Sequence, residues 1–253
     1  MRFIDEEGRV FGRVNVVDAL VVALVASVLV AGVALVSGAD EPEASANGTD
    51  AATYATVSFG SQPDYLAAAV ESNDTVAVGD ATARITDVYA APGQGGTAVY
   101  ARLAFPDATR DAGARAAGEE ALRLGSELPV TTPTYRLSSR IVALDGGPTL
   151  PVEDRSVVVE ATTHPAVAEA IDAGDVSRVA GRPVARVETV ESVAGNSSNS
   201  TVRLRLSLRT LARDDVAYFG DAPVRLGARI RFESDAYAVT GTVVALPDAD
   251  ADV

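Results

Sequence analysis

Apolar and polar positions alternate along most of this chain with the two-residue period of half-buried strands. The runs TYATVSF, ARITDV and TAVYARLAF carry that period between residues 53 and 105, and RSVVVEA, ARVETV and STVRLRLSL carry it between residues 155 and 208. Each set is broken once by a short Ala-rich stretch behind a proline, Pro63 or Pro165. A proline at that place predicts short helices over Asp64–Val70 and Ala166–Ile171. The polar turns PGQGG and AGNSSNS then join two alternating runs into hairpins, and two more strands finish each set. Alternation implies sheets with one buried face. The expected architecture is therefore two tandem, mainly β units of α+β type, each of about 100 residues, built as a small barrel or sandwich with one short helix.

The two sets are copies of one another. LRLGSELPVTTPTYRLSSRIVAL, starting at Leu122, aligns without a gap on VRLGARIRFESDAYAVTGTVVAL, starting at Val224, an offset of 102. The same offset brings Pro63 onto Pro165, Gly79 onto Gly181 and Arg84 onto Arg186. One offset across such separated anchors identifies a tandem repeat. Near Asn199 the register slips by about one residue, as an insertion in a hairpin would produce.

Ahead of the repeat the pattern changes to a continuous apolar run. Residues 16–36 are apolar apart from Asp18 and Ser27. At about 1.5 Å per helical residue they match the roughly 30 Å hydrocarbon core of a bilayer, so a transmembrane helix is expected there. Asp18 falls in its first turn, where a carboxylate complements the helix dipole. Arg2, Arg9 and Arg13 precede the run and the next cation is Arg84. That bias places the N-terminus in the cytoplasm and the C-terminal bulk outside the cell membrane, with one pass between. A cleaved signal peptide is the competing reading, with Ser37-Gly38-Ala39 as the small-residue site, although the run exceeds the ~7–15 residues of a signal core. Residues 37–52 are small, acidic and turn-rich, a flexible linker. The expected organisation is a cytoplasmic motif at 1–15, the span at 16–36, the linker at 37–52, and β copies at 53–152 and 153–253.

Composition narrows the function. The chain carries 35 Asp and Glu against 21 cations, a formal charge of −14, and every one of those cations is Arg. An acidic, Lys-free chain with 5% aromatic residues is similar to proteins of salt-loving archaea, whose carboxylate surface stays hydrated in concentrated salt. Nucleic acid is excluded as an expected partner because phosphate contacts need clustered cations. With no Cys there is no disulfide, thiolate metal site or cysteine nucleophile.

The polar motifs are few. Four of the five Asn residues, Asn47, Asn73, Asn196 and Asn199, head N-x-S/T sequons, all beyond the apolar run, where N-glycosylation is the expectation. His164 before Pro165 has no identifiable Ser or Asp partner and reads as structural. Gly93-Gln94-Gly95-Gly96 joins strands and does not open a helix, so it is a hairpin tip and not a phosphate cradle. Asp248, Asp250 and Asp252 lack the Gly turn and closing Glu of a calcium loop. Arg203, Arg205 and Arg209 lie along one strand and are expected to pair with carboxylates, an anion site being the alternative. No catalytic residue, cofactor or metal ligand is assigned.

The stretch FIDEEGRVFGRVNVVD, residues 3–18, resembles the N-terminal signature of an uncharacterised membrane-protein family, domain of unknown function 4330. Asp5, Gly8, Arg9, Phe11, Gly12, Arg13 and Asp18 carry the resemblance, with Arg13 where many members have Lys. The resemblance implies a single membrane helix followed by a β-rich domain and no activity, and the composition makes this a haloarchaeal-type member. The expected function is that of a non-enzymatic envelope protein presenting its duplicated β domain to a protein or surface polymer. The alternative is a subunit of a membrane-associated lipid or solute transport or assembly complex, and an undetected hydrolase around His164 is a third reading. Membrane lipid, an unidentified protein partner and further copies of the chain are the expected partners.

Overall fold

The structure is a computed structural model that describes residues 9–10, 14–15, 52–111, 114–144, 146–196 and 198–247. Two compact units divide the chain, Met1–Thr49 and Asp50–Val253. In the first, β1 (Arg9–Val10) pairs antiparallel with β2 (Val14–Asn15), Arg9 opposite Asn15 and Val10 opposite Val14.

In the second unit the first copy contributes β3 (Thr53–Gln62), α1 (Asp64–Ala69), β4 (Thr75–Val78), β5 (Ala81–Gly93) and β6 (Gly96–Phe105). After β6 come β7 (Thr109–Asp111), β8 (Ala114–Ala117), β9 (Glu120–Ala121), β10 (Glu127–Thr131) and β11 (Arg136–Leu144). Six of these strands form a closed barrel in the order β10-β11-β3-β6-β5-β4, while β7, β8 and β9 make a separate small sheet. Closure comes from β10 against β4, with Val130 opposite Val78 and Thr131 opposite Ala77. Val57, Val76, Ile85, Leu103, Leu128 and Ile141 fill the interior, as the inward half of each alternating strand must in a barrel this small.

The second copy repeats the order as β12 (Val152–Thr163), α2 (Pro165–Glu169), β13 (Val176–Val179), β14 (Arg182–Gly195) and β15 (Ser200–Arg213). Then follow β16 (Val216–Phe219), β17 (Ala222–Pro223), β18 (Arg229–Glu233) and β19 (Ala238–Ala245). Its path runs β13-β14-β15-β12-β19-β18, with β16 on the end of β15, and does not close. A bulge explains the open seam. Ser177 pairs with Ala185 but Arg178 pairs with Pro183, so Val184 is an extra residue that turns β13 away from β18. The buried Ser177 hydroxyl bridges the seam by accepting the Glu233 amide at 3.5 Å.

These observations correct the expected fold class. Among the described residues only two short helices occur, of 6 and 5 residues, so the β units are built from strands almost throughout. At about 1.5 Å per residue neither helix approaches bilayer thickness. No helix among the described residues is long and apolar enough to cross a membrane. The expected helix at 16–36 lies outside the described residues, and the single-pass anchor, with the topology and membrane location built on it, is not supported.

Strand burial shows what covers each copy. In β15 the alternation is clean, with Val202, Leu204, Leu206 and Leu208 buried and Arg203, Arg205, Ser207 and Arg209 facing outward. In β6 every residue from Thr97 to Phe105 is buried, so both of its faces are covered. The outer cover is the second copy together with the segment that connects to it.

Candidate functional site

The hairpin of β5 and β6 extends past its barrel as an arm and docks on the second copy. Tyr89, Ala91, Ala98 and Tyr100 belong to the second copy's hydrophobic core and not to their own. The Tyr89 hydroxyl lies 3.0 Å from the Arg209 carbonyl oxygen and 3.2 Å from that of Tyr218, and it accepts the Gly220 amide at 3.1 Å. Burial, the dominant influence, drives the Tyr89 pKa upward, so the phenol stays protonated and able to donate. Gly220 adopts φ +65°, and a Cβ there would sit 1.9 Å from the Pro92 carbonyl oxygen. At the tip, the Gln94 amide donates to Asp221 at 3.1 Å. Arg182 reaches back from the second copy and donates to the Val70 carbonyl at 2.8 Å, satisfying a free acceptor at the C-terminus of α1.

The connecting segment is strapped to the first copy. Thr86 donates to the Pro148 carbonyl at 2.6 Å, and the Leu150 amide donates to Asp87 at 2.9 Å. Arg102, only 3% exposed, sends Nε to the Gly147 carbonyl at 2.9 Å and Nη1 to the Thr56 hydroxyl at 2.8 Å. Its guanidinium also lies 5.5 Å from the centre of the Tyr54 ring.

Between strap, barrel and second copy lies a cleft of about 550 Å³. Val142, Leu150, Pro151 and Leu211 supply apolar wall, while Thr56, Thr149, Arg102, Arg213 and Asp214 supply polar wall. Arg213 stands over the Tyr218 ring at 3.7 Å and near the Tyr100 ring at 5.2 Å, and its Nη1 donates to the Tyr100 hydroxyl at 3.2 Å. Such a double aromatic contact fixes a planar guanidinium without neutralising it. The cleft thus exists only where the copies join, and each supplies one arginine.

The residues singled out from sequence lie elsewhere. Arg9 is in β1; Asp5, Gly8, Phe11, Gly12, Arg13, Asp18, Asn47, Asp248, Asp250 and Asp252 lie outside the described residues. Asn73 is exposed at φ +76°, and Asn196 and Asn199 are exposed in the β14–β15 turn, where Asn196 Oδ1 accepts the amides of Ser198 and Asn199 at 2.9 Å each. His164 caps α2, its Nδ1 accepting the Ala166 amide at 3.2 Å. The Gly93–Gly96 stretch is the tip of the docked arm. Arg203 pairs with Glu160 across the sheet at 3.2 Å, but among the described residues Arg205 and Arg209 form no ion pair, so the expected pairing holds for one of the three. Among the described residues no cluster of three metal-ligating side chains occurs. Sequence reasoning missed Arg102, Arg213, Tyr100 and Tyr218. The available signal was TAVYARLAF itself, apolar on both faces of one strand.

A family model described as Domain of unknown function (DUF4330) matches residues 1–145, more than half of the chain, and reaches the end of β11, the last strand of the first copy. No curated protein and no solved structure matches the chain.

Proposed function

We propose, from the premise that this chain belongs to the family described as Domain of unknown function (DUF4330), that it is a binding protein without catalytic turnover, presenting its duplicated β unit to a protein or polymer partner. The observation that carries this reading is the junction. The docked arm and the strap hold the copies together and leave a walled cleft between them. Clefts at such junctions are where ligands and partners are usually held. The second reading, a subunit of a transport or assembly complex, puts any apolar path between molecules, because Leu103 and Ile141 fill one barrel and Leu204, Leu206 and Phe232 fill the other core.

The composition supports a haloarchaeal-type setting. With a charge of −14, self-repulsion is screened as the Debye length falls from about 10 Å at 0.1 M salt to about 3 Å at 1 M. The thermal midpoint is expected to rise over that range, and a flat or falling midpoint counts against the setting.

A photo-crosslinker placed at Thr149, on the cleft rim, in the full-length chain tests the binding reading. One defined partner, absent when the crosslinker is moved to exposed Glu119, is the expected result. Specific turnover by the purified chain, with no partner recovered, would refute it.

A further inference from the structure

We propose that the cleft between the copies binds a small monocarboxylate, a molecule with one carboxylate on a short apolar body, and that Arg213 is the residue that holds the carboxylate. The inference rests on the binding reading above and names the chemistry of its site.

Arg213 is set apart by its clamp: two tyrosine rings hold it beside the cleft, whereas Arg205 and Arg209 of the same strand, which also lack an ion pair among the described residues, have no such contact. The strand arginines Arg140, Arg155, Arg203 and Arg231 each pair with a glutamate, at 2.8–3.2 Å. Arg213 has no carboxylate partner among the described residues, in a chain with 35 carboxylates to 21 arginines. Its Nη1 is taken by the Tyr100 hydroxyl and its Nε is buried without a partner, which leaves the Nη2 side as the donor edge for a ligand. The two tyrosines hold the guanidinium in place before any ligand arrives, so little side-chain freedom is lost on binding.

The surroundings set the ligand class. Leu150, Pro151 and Leu211 offer an apolar wall, and the volume suits a molecule of one or two rings. Arg102 also lines the cleft, its Nε and Nη1 spent on Gly147 and Thr56. Asp214 sits at the rim and the chain as a whole is strongly negative. One free donor edge within such a field favours a monoanion over a phosphate dianion. The chemistry is shared by a free carboxylic acid and by the acidic sugar of a polymer.

Titration of the purified full-length chain separates these. The probes are cyclohexanecarboxylate, glucuronate and the neutral cyclohexanecarboxamide, followed by calorimetry and by the Arg213 Nε–Hε resonance. At least one carboxylate is expected to saturate with a dissociation constant of about 1 mM or tighter, the amide at least ~10-fold more weakly. The tighter of the two carboxylates identifies the source. Arg213→Gln is expected to weaken binding at least ~10-fold, and Thr149→Glu, which brings a competing carboxylate to the exposed mouth, to do the same with an unchanged thermal midpoint. Thr149→Glu carries the test if Arg213→Gln fails to fold. Equal binding of carboxylate and amide, or binding indifferent to both variants, overturns the assignment. A partner crosslinked from Thr149 with no carboxylate bound would sink this inference and leave the binding reading standing.

Discussion

The repeat supplies a matched pair of tyrosines whose surroundings differ by one hydrogen bond. Tyr237 donates to Asp175 at 2.5 Å, while the hydroxyl of Tyr135, at the equivalent place in the first copy, is buried without a partner. Tyr237→Phe removes a charge-assisted bond and is expected to cost about 1–3 kcal/mol. Tyr135→Phe removes only an unsatisfied group and should leave stability within about 0.5 kcal/mol or raise it. Denaturant midpoints of the two variants check the contrast. The same groups set an alkaline limit. Burial first, then the Asp74 charge, pushes Tyr135 up to about 12 from 10.0, and burial followed by the Asp175 hydrogen bond raises Tyr237 further. A raised folded-state pKa gives stability that is intact below the unfolded value and is lost as pH climbs through the folded one. Unfolding free energy should therefore be unaffected by these groups below pH 10 and fall above it, less steeply in Tyr135→Phe. The alignment of Tyr135 with Tyr237 was legible in the sequence. Which tyrosine finds an acid was not, because that depends on where a loop carboxylate comes to rest.

At the level of elements, what was legible followed from local pattern. The alternating runs became β3, β5, β6, β12, β14 and β15, the short helices start just after Pro63 and at Pro165, and Gly93–Gly96 is a hairpin tip, whereas β7, β8, β9, β16 and β17 had no such signal. The open seam of the second copy was not legible, since it turns on a single extra residue beside Pro183 that periodicity reads through. Nor was the docking of the arm, whose partners lie some 120 positions away. Two glycines separate steric from conformational cost there. Gly220 at φ +65° and Gly227 at φ +80° both penalise a side chain through backbone conformation, by about 1–2 kcal/mol. Only Gly220 also faces a carbonyl oxygen, at 1.9 Å from an added Cβ, whereas Gly227 faces open space. Gly220→Ala is expected to lower the unfolding free energy by at least about 1 kcal/mol more than Gly227→Ala, with increased amide exchange at Gln94 in the first variant alone. Equal losses would mean that the arm is not held against β16.

For the whole molecule, the offset of 102 made the duplication visible, but not that the two copies would share a core. The reason lies in one cross-strand pair. Tyr89 stands opposite Tyr100 in the first copy, and the corresponding pair in the second is Glu191 opposite Arg203. The aromatic pair needs a neighbour to cover it, and the charged pair faces water beside Glu160. A polar outer face needs no neighbour to cover it, as in the capping units of repeat arrays. The substitution makes the copies unequal partners. Separated as residues 52–151 and 152–247, the first would expose Tyr89, Ala91, Ala98 and Tyr100, and the second would lose those four from its core. The first fragment is therefore expected to self-associate and the second to unfold at a lower midpoint than the intact chain, while mixing them should restore a 1:1 complex. Tyr89→Ser in the first fragment should abolish that recovery, since it removes both the ring and the hydroxyl that the Gly220 amide reaches. Sedimentation of the fragments, singly and mixed, reads both effects. Two monodisperse fragments that ignore each other would show that the arm is an ornament of the first barrel and not the joint of the molecule.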